Sequence, residues 1–312
     1  MGAALHGAEA HAFVRLAERA RPWWLAGAFG LQAGTYVAQG WIWRVVGAAA
    51  GFGLSRTAAL ELAFAKLFAD QALPSAGVSS SILIAKALEK RQVRSGAVNA
   101  SVLVNLASYH LAYVVALAGA LAIAQWRGDT NTLVIVTSVI FLAFSLALSI
   151  GVLTWSGHRL SWLTGFAAKV PAVRTLCAFM AGADETLVRN ARVLGQAVSL
   201  QGAIVLLDAA TMWTLVKALG VAAHPSGIFV SFMVASLFRT MGIVPGGLGT
   251  FEATSVLMLR TMGMDVAVAL SATLLFRGLS FWLPMLPGYW CSRRVLASPH
   301  VTMRVGTTDL AS

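Results

Sequence analysis

The chain has 312 residues, of which 58% are hydrophobic and only 11% charged, with a mean hydropathy of +0.76. A soluble domain carries about 25% charged residues, so this composition excludes a soluble protein and predicts a polytopic membrane protein. The formal net charge of +11 would suggest nucleic acid in a soluble chain; here it reads as Lys and Arg gathered in cytoplasmic loops, with anionic lipid headgroups as a second contact.

Residues 1–20 lack a long apolar core followed by a cleavage site, and predict no signal peptide. The first apolar run, Trp23–Trp43, has tryptophans at both ends and is followed by Arg44. At a rise of ~1.5 Å per residue it spans about 31 Å, one bilayer core, with its tryptophans at the two interfaces.

Residues 58–73 are apolar but carry Glu61, Lys66 and Asp70, and end at Leu73-Pro74-Ser75-Ala76-Gly77. A second short apolar arm, 78–88, runs into Glu89, Lys90, Arg91 and Arg94. Two short arms around a Pro/Gly break predict a re-entrant hairpin over 58–90. Lys66 and Asp70, four apart, predict a local ion pair.

Residues 97–124 and 132–154 read as spanning helices. On the first of these, His110 with Tyr109 and Tyr113 reads as a packed, hydrogen-bonded histidine. Residues 155–195 mix Trp155, Trp162, Phe166 and Phe179 with five cations and predict amphipathic helices on the membrane surface. Residues 198–220 span again with Asp208 mid-segment; a lone carboxylate there is costly and marks function or a partner.

Next come two apolar arms, over 226–262, around Val244-Pro245-Gly246-Gly247-Leu248-Gly249. Three glycines and a proline in five residues cannot continue a helix, and broken backbone at membrane depth survives only against protein or a watery cavity. Arg239 precedes the break, Glu252 follows it, and Arg277 lies on the last spanning segment, 266–291. The half-helix start at the break offers backbone N–H groups to an anion such as a phosphate, and a guanidinium offers it a bidentate fork. Plainer readings stand beside these. The break could be a loop outside the membrane, the arginines could snorkel, and Glu252 could pair with either arginine and brace the hairpin.

Broken segments at Pro74 and Pro245 fall at corresponding places in two halves, 22–124 and 198–291, linked by 132–195. This pattern predicts an all-α integral membrane protein of two inverted-repeat halves, with re-entrant hairpins around a central cavity. With the N-terminus outside, fourteen Lys/Arg fall in cytoplasmic stretches, six fall outside and three lie within apolar runs. Neither Cys177 nor Cys291 belongs to a metal or redox motif, the histidines show no ligand spacing, and no P-loop or nucleophile triad occurs; the expectation is no metal, no cofactor and no catalytic residue.

Arg239-x5-Pro245-Gly-Gly-Leu-Gly-x2-Glu252, followed by Arg277-x4-Trp282-x-Pro284-x3-Gly288, resembles the lysylphosphatidylglycerol synthase transmembrane family over about Pro22 to Trp290. The resemblance implies inverted halves with re-entrant helices and movement of a phospholipid or lipid-linked headgroup between leaflets of a bacterial inner membrane. It implies a substrate-binding set of Arg239, Pro245, Gly246, Gly247, Gly249, Glu252, Arg277 and Trp282, with Pro74 and Gly77 at the corresponding first break; Asp208 joins them on its own position. Pro74-Ser75-Ala76-Gly77-Val78 departs from the family by lacking its Arg and Gly-Glu, and Ala100-Ser101-Val102 is followed by neutral Asn105, Ser108 and Tyr109. Family members usually begin with one more membrane helix, and some carry a soluble aminoacyl-transferase domain not found in these residues. The expected partners are membrane lipids, chiefly a lipid phosphate or anionic headgroup, with a homo-oligomer or a lipid-biosynthesis protein as further partners. The competing classes are a membrane enzyme acting on a polyprenyl-phosphate lipid and an accessory subunit of envelope lipid synthesis.

Overall fold

The computed structural model describes residues 21–72, 78–128, 132–154, 179–241 and 244–297. These are helical, with no strand among the described residues. In chain order the helices are α1 (Pro22–Ala49), α2 (Arg56–Ala72), α3 (Val78–Lys90), α4 (Ser95–Arg127), α5 (Thr132–Thr154), the single turn α6 (Glu185–Val188), α7 (Ala191–Ala218), α8 (Pro225–Met241), α9 (Thr250–Thr261), α10 (Val266–Arg277) and α11 (Leu283–Ala297). A 3₁₀ turn at Pro245–Gly247 lies between α8 and α9, and a π-helical turn at Gly278–Trp282 joins α10 to α11.

Among the described residues, four helical stretches are long and apolar enough to cross a membrane: Ser95–Arg127, Ile135–Val152, Ala191–Ala218 and Val266–Ala297. The protein is therefore a multi-pass membrane protein. The expected first span, Trp23–Trp43, lies within α1, which is long enough but is not among the four. The reason is chemical. Gln32, Thr35, Tyr36 and Gln39 recur at i, i+3, i+4 and i+7 and form one polar stripe, and all four are buried. That stripe faces protein, chiefly α7.

α1 and α7 run antiparallel. The Arg21 N–H donates to the Ala218 carbonyl, which sets the start of one against the end of the other. Gly34 lets Leu207 approach within 3.4 Å of where a β-carbon would stand, so small residues bring the two backbones close. The other close helix pair is α2 with α11, where a β-carbon on Gly288 would sit 2.7 Å from the Phe64 carbonyl oxygen.

The helical pairs α2–α3 and α8–α9 each pack arm against arm. Their open ends point to opposite ends of the bundle. At one end lie the starts of α1 and α8 and the ends of α4, α7 and α9: Arg127 Nη1 donates to Ser226 Oγ at 3.2 Å, and Gly227 lies against Met262. At the other lie the ends of α1, α3 and α11: Arg44 Nε donates to the Leu54 carbonyl at 3.3 Å, and Lys90 Nζ donates to the Leu296 carbonyl. The 3₁₀ turn at the tip of the α8–α9 pair touches α2.

The surface connection expected over 155–195 falls largely outside the described residues. Its described part packs on the bundle: Asn99 Nδ2 donates to the Phe179 carbonyl at 3.0 Å, the Asp184 N–H donates to the Gly96 carbonyl at 3.0 Å, and Leu187 and Val188 are buried. Asp184 caps α6; a hydrogen bond from the Thr186 hydroxyl, and then the Thr186 amide, hold its carboxyl below the usual range.

Candidate functional site

The glycine-rich break is built from inside. Gly246, Gly247 and Gly249 take φ of +58°, +65° and +84°, a region in which a side chain is strained. Two of them also meet close neighbours. A β-carbon on Gly246 would stand 2.2 Å from the Phe281 ring, and one on Gly247 would stand 2.3 Å from Arg239 Cγ. The loop is thus pressed between the end of α8 and the π turn.

A carboxylate ties it together. Glu252 Oε1 accepts from Arg277 Nε at 2.7 Å, and Glu252 Oε2 accepts from the Gly249 N–H at 2.7 Å. Arg277 Nη2 donates to the Gly246 carbonyl at 3.0 Å, and Thr250 Oγ1 donates to the Gly247 carbonyl at 3.0 Å. Arg277 is 3% exposed. The alternatives left open for Glu252 resolve toward Arg277. The start of α9, offered by the sequence as an anion-binding end, holds a carboxylate of its own chain at that point, a capping arrangement that compensates the helix dipole.

Arg239 is arranged differently. It lies in the last turn of α8, and Nη2 donates to the Tyr113 hydroxyl of α4 at 3.1 Å. It forms no ion pair with any described residue. Its guanidinium carbon is 5.9 Å from the centre of the Phe251 ring, and that of Arg277 is 5.5 Å from the same ring. Phe251 is fully buried, stacked on Phe276 and edge-on to Phe232. Arg277 also stands 4.3 Å from the Phe281 ring centre. Both cations of the motif therefore rest on aromatic faces at the root of α9, which lowers the cost of holding them there.

Asp208 lies on the inward face of α7, in line with Gln201, Val205 and Met212. Gln32 Nε2 donates to Asp208 Oδ1 at 3.1 Å and to Thr35 Oγ1 at 3.0 Å. Asp208 forms no ion pair with any described residue. Gln32 is eleven residues from Arg21 and Asp208 ten from Ala218, where the two helices are tied. At ~1.5 Å per residue they lie about 15–17 Å along their helices from that end, well inside these 28-residue helices.

The proline of the last segment has its own consequence. Pro284 has no N–H, so the carbonyls of Ser280, four residues back, and Leu279, five back, lose their donor in an α- or π-helical turn. Two side chains from other helices supply it: Tyr36 Oη of α1 donates to the Leu279 carbonyl, and Gln71 Nε2 of α2 donates to the Ser280 carbonyl at 3.0 Å. The π turn is thereby fastened to both helices of the N-terminal part.

Of the expected site residues, the structure brings together Arg239, Gly246, Gly247, Gly249, Glu252 and Arg277, with Pro245 opening the turn; Asp208 is held on α7 by Gln32 of α1. Pro74 and Gly77 lie outside the described residues. Trp282 belongs elsewhere: it is 58% exposed and shares an outward stripe with Leu286 and Trp290, four and eight residues on, while its neighbour Phe281 turns inward. It is a surface aromatic facing away from the motif. Sequence reasoning missed Tyr36, Gln71, Gln32 and Tyr113. The polar stripe in α1, spaced i, i+3, i+4, i+7 within an apolar run, was the available signal for two of them. Lys66 pairs with Asp70 at 2.7 Å and His110 Nδ1 lies 3.3 Å from Ser145 Oγ, as expected for a local ion pair and a packed histidine.

A family model described as "Lysylphosphatidylglycerol synthase TM region" matches residues 1–288. No curated protein matches the chain. A match over residues 1–288 of 312 shows that the chain belongs to the lysylphosphatidylglycerol synthase transmembrane family.

Proposed function

We propose that this protein translocates a phospholipid or another lipid-linked molecule between the leaflets of a bacterial inner membrane, holding the lipid's phosphate at Arg239. The observation that carries the reading is the contrast between the two motif arginines. Arg277 is tied by Nε to Glu252 and by Nη2 to the Gly246 carbonyl, leaving Nη1, whereas Arg239, joined only to the neutral Tyr113 hydroxyl, keeps Nε and Nη1 without a partner and has no carboxylate paired with it among the described residues. A half-buried cation in an apolar bundle, with spare donors, suits an anionic group with several acceptor oxygens.

Two further features support translocation over simple binding. The α2–α3 and α8–α9 pairs open toward opposite ends of the bundle, which is the arrangement that two re-entrant hairpins in inverted halves would have. Tip-to-arm contact between them gives a means for a change at one face to reach the other. The reading assigns no chemistry to the chain; exchange is passive or ion-driven.

The test is leaflet exchange in reconstituted vesicles without ATP, using labelled phospholipids and a polyprenyl phosphate. Exchange accelerated at least tenfold over protein-free vesicles, and lost in Arg239→Gln, supports the proposal. Exchange at the protein-free rate for every lipid sinks it. Chemical conversion of an added polyprenyl-phosphate lipid would instead favour a membrane enzyme.

A further inference from the structure

We propose that the junction between α3 and α4 is a second anion site, at which Arg91 and the first-turn amides of α4 hold a phosphate group. The phosphate belongs to the headgroup of an anionic lipid at that face of the membrane or to free phosphate in solution. The site stands apart from the glycine-rich motif. Lys90 Nζ donates to the Leu296 carbonyl, and Arg277 lies nineteen residues before Leu296 on the stretch Val266–Ala297. At ~1.5 Å per residue, about 28 Å of helix separates the two places.

The inference starts from a buried cation that nothing meets. Arg91 is 8% exposed, yet it forms no hydrogen bond or ion pair with any described residue; Arg277 has two hydrogen bonds and Arg239 one. Its Nη1 is sealed from solvent without a partner, while Nε and Nη2 are not sealed. A buried guanidinium left without an acceptor is costly, and an oxyanion presenting several oxygens relieves it. Carboxylates of this chain do not fill that role. On α3 and the helices packed against it, α2, α4 and α11, the carboxylates are Glu61, Asp70 and Glu89. Asp70 pairs with Lys66, and neither glutamate forms an ion pair with Arg91.

The second observation is the start of α4. No side chain caps this 33-residue helix, and no acidic residue stands in its first turn. The amides of Ser95, Gly96 and Ala97 have no acceptor within the helix, and the dipole there favours negative charge. Asp184 lies beside this turn, since its N–H donates to the Gly96 carbonyl, but its carboxyl takes the Thr186 amide and hydroxyl. Arg91 borders the same turn. It follows Ile84, Ala87 and Leu88 on the buried face of α3, and those three share a core with Ala97 and Val98 of α4. Three residues, Gln92 to Arg94, connect Arg91 to Ser95. Uncapped amides and an unpartnered guanidinium thus border one core and ask for the same kind of ligand. The surrounding cations Arg44, Arg56, Lys90, Arg94, Arg293 and Arg294 outnumber Glu61 and Glu89, which draws anions to this end.

The test is hydrogen–deuterium exchange on the purified full chain in detergent, read at the amides of Ser95, Gly96 and Ala97. The probes, at matched ionic strength, are inorganic phosphate, short-chain phosphatidylglycerol, short-chain phosphatidylcholine and potassium chloride alone. Phosphatidylglycerol or inorganic phosphate is expected to slow exchange at these amides at least threefold and saturably, with phosphatidylcholine matching chloride. Slowing by phosphatidylglycerol alone assigns the site to a lipid; slowing by both assigns it to phosphate in either form. Arg91→Gln should abolish the protection, and Arg91→Lys should retain part of it. Exchange unchanged by both phosphate probes overturns the inference. So does protection that survives Arg91→Gln, or equal protection by phosphatidylcholine. If Arg91→Gln does not fold, the four probes on the wild type decide. Leaflet exchange is a separate measurement, so translocation and this site can each fail while the other stands.

Discussion

The Glu252–Arg277 pair shows how few residues hold the centre of this protein. One carboxylate pairs with a buried guanidinium and takes the amide of Gly249, the residue just before α9, and the same guanidinium donates to a loop carbonyl. Such a pair is worth little against an apolar replacement, but breaking it strands its partner at a cost of roughly 3–5 kcal/mol. Glu252→Gln is expected to lower unfolding stability in detergent by an amount of that order, and Arg277→Lys to lower it as well, because an ammonium cannot reach both Glu252 and the Gly246 carbonyl in one plane. Urea or thermal unfolding of the purified variants checks this. Unchanged stability in Glu252→Gln, with lipid exchange lost, would move Glu252 from brace to substrate contact. At this scale the sequence was readable in part. Arg239-x5-Pro-Gly-Gly-Leu-Gly-x2-Glu pointed to the right place, but could not say which arginine the glutamate takes, since spacing along a chain does not encode side-chain distance across a loop. Trp282 was misplaced for the same reason: a residue within a motif can face lipid when its neighbour faces the core.

Among the elements, the π turn at Gly278–Trp282 is the one that joins the two ends of the chain. Its freed carbonyls at Leu279 and Ser280 are taken by Tyr36 and Gln71, which lie more than two hundred residues earlier in sequence. A buried carbonyl without a partner costs roughly 1–3 kcal/mol. Gln71→Leu and Tyr36→Phe are each expected to destabilise by about that amount, and the loss in Gln71→Leu should be smaller in a Pro284→Ala background, where an N–H at 284 can serve the Ser280 carbonyl. A double-mutant cycle on unfolding free energy measures this coupling, and strict additivity would contradict it. The helices themselves were legible from hydropathy and breakers, with ends shifted by a few residues; α7 begins at Ala191 where the pattern suggested 198. The stitching was not, because Pro284 announces a lost hydrogen bond but not the side chain that replaces it.

Across the whole molecule, the cations counted along the chain separate in space. Arg21, Arg127 and Lys217 gather at one end of the bundle, and Arg44, Arg56, Lys90 and Arg94 at the other. Single cysteines at Lys90 and Ala297, in a background lacking Cys177 and Cys291, should therefore label from one side of the membrane, and a cysteine at Arg127 from the opposite side. By the positive-inside rule the first pair is cytoplasmic. Labelling of positions 90 and 297 from opposite sides would overturn the arrangement. Hydropathy could indicate two broken hairpins, but not that the tip of one touches the arm of the other, which depends on packing between distant segments.

The polar stripe of α1 has a consequence for how the protein is made. Gln32 meets Asp208 across a separation of 176 residues. During synthesis α1 reaches the membrane long before α7 exists, and for that interval Gln32 lacks the Asp208 carboxylate that it meets in the finished fold. Glutamine side chains insert poorly into hydrocarbon, so α1 is a weak insertion signal while alone. Its settled position belongs to a late event, the arrival of α7, and a ribosome stalled before Ala191 would leave α1 without the neighbour that takes up its polar stripe.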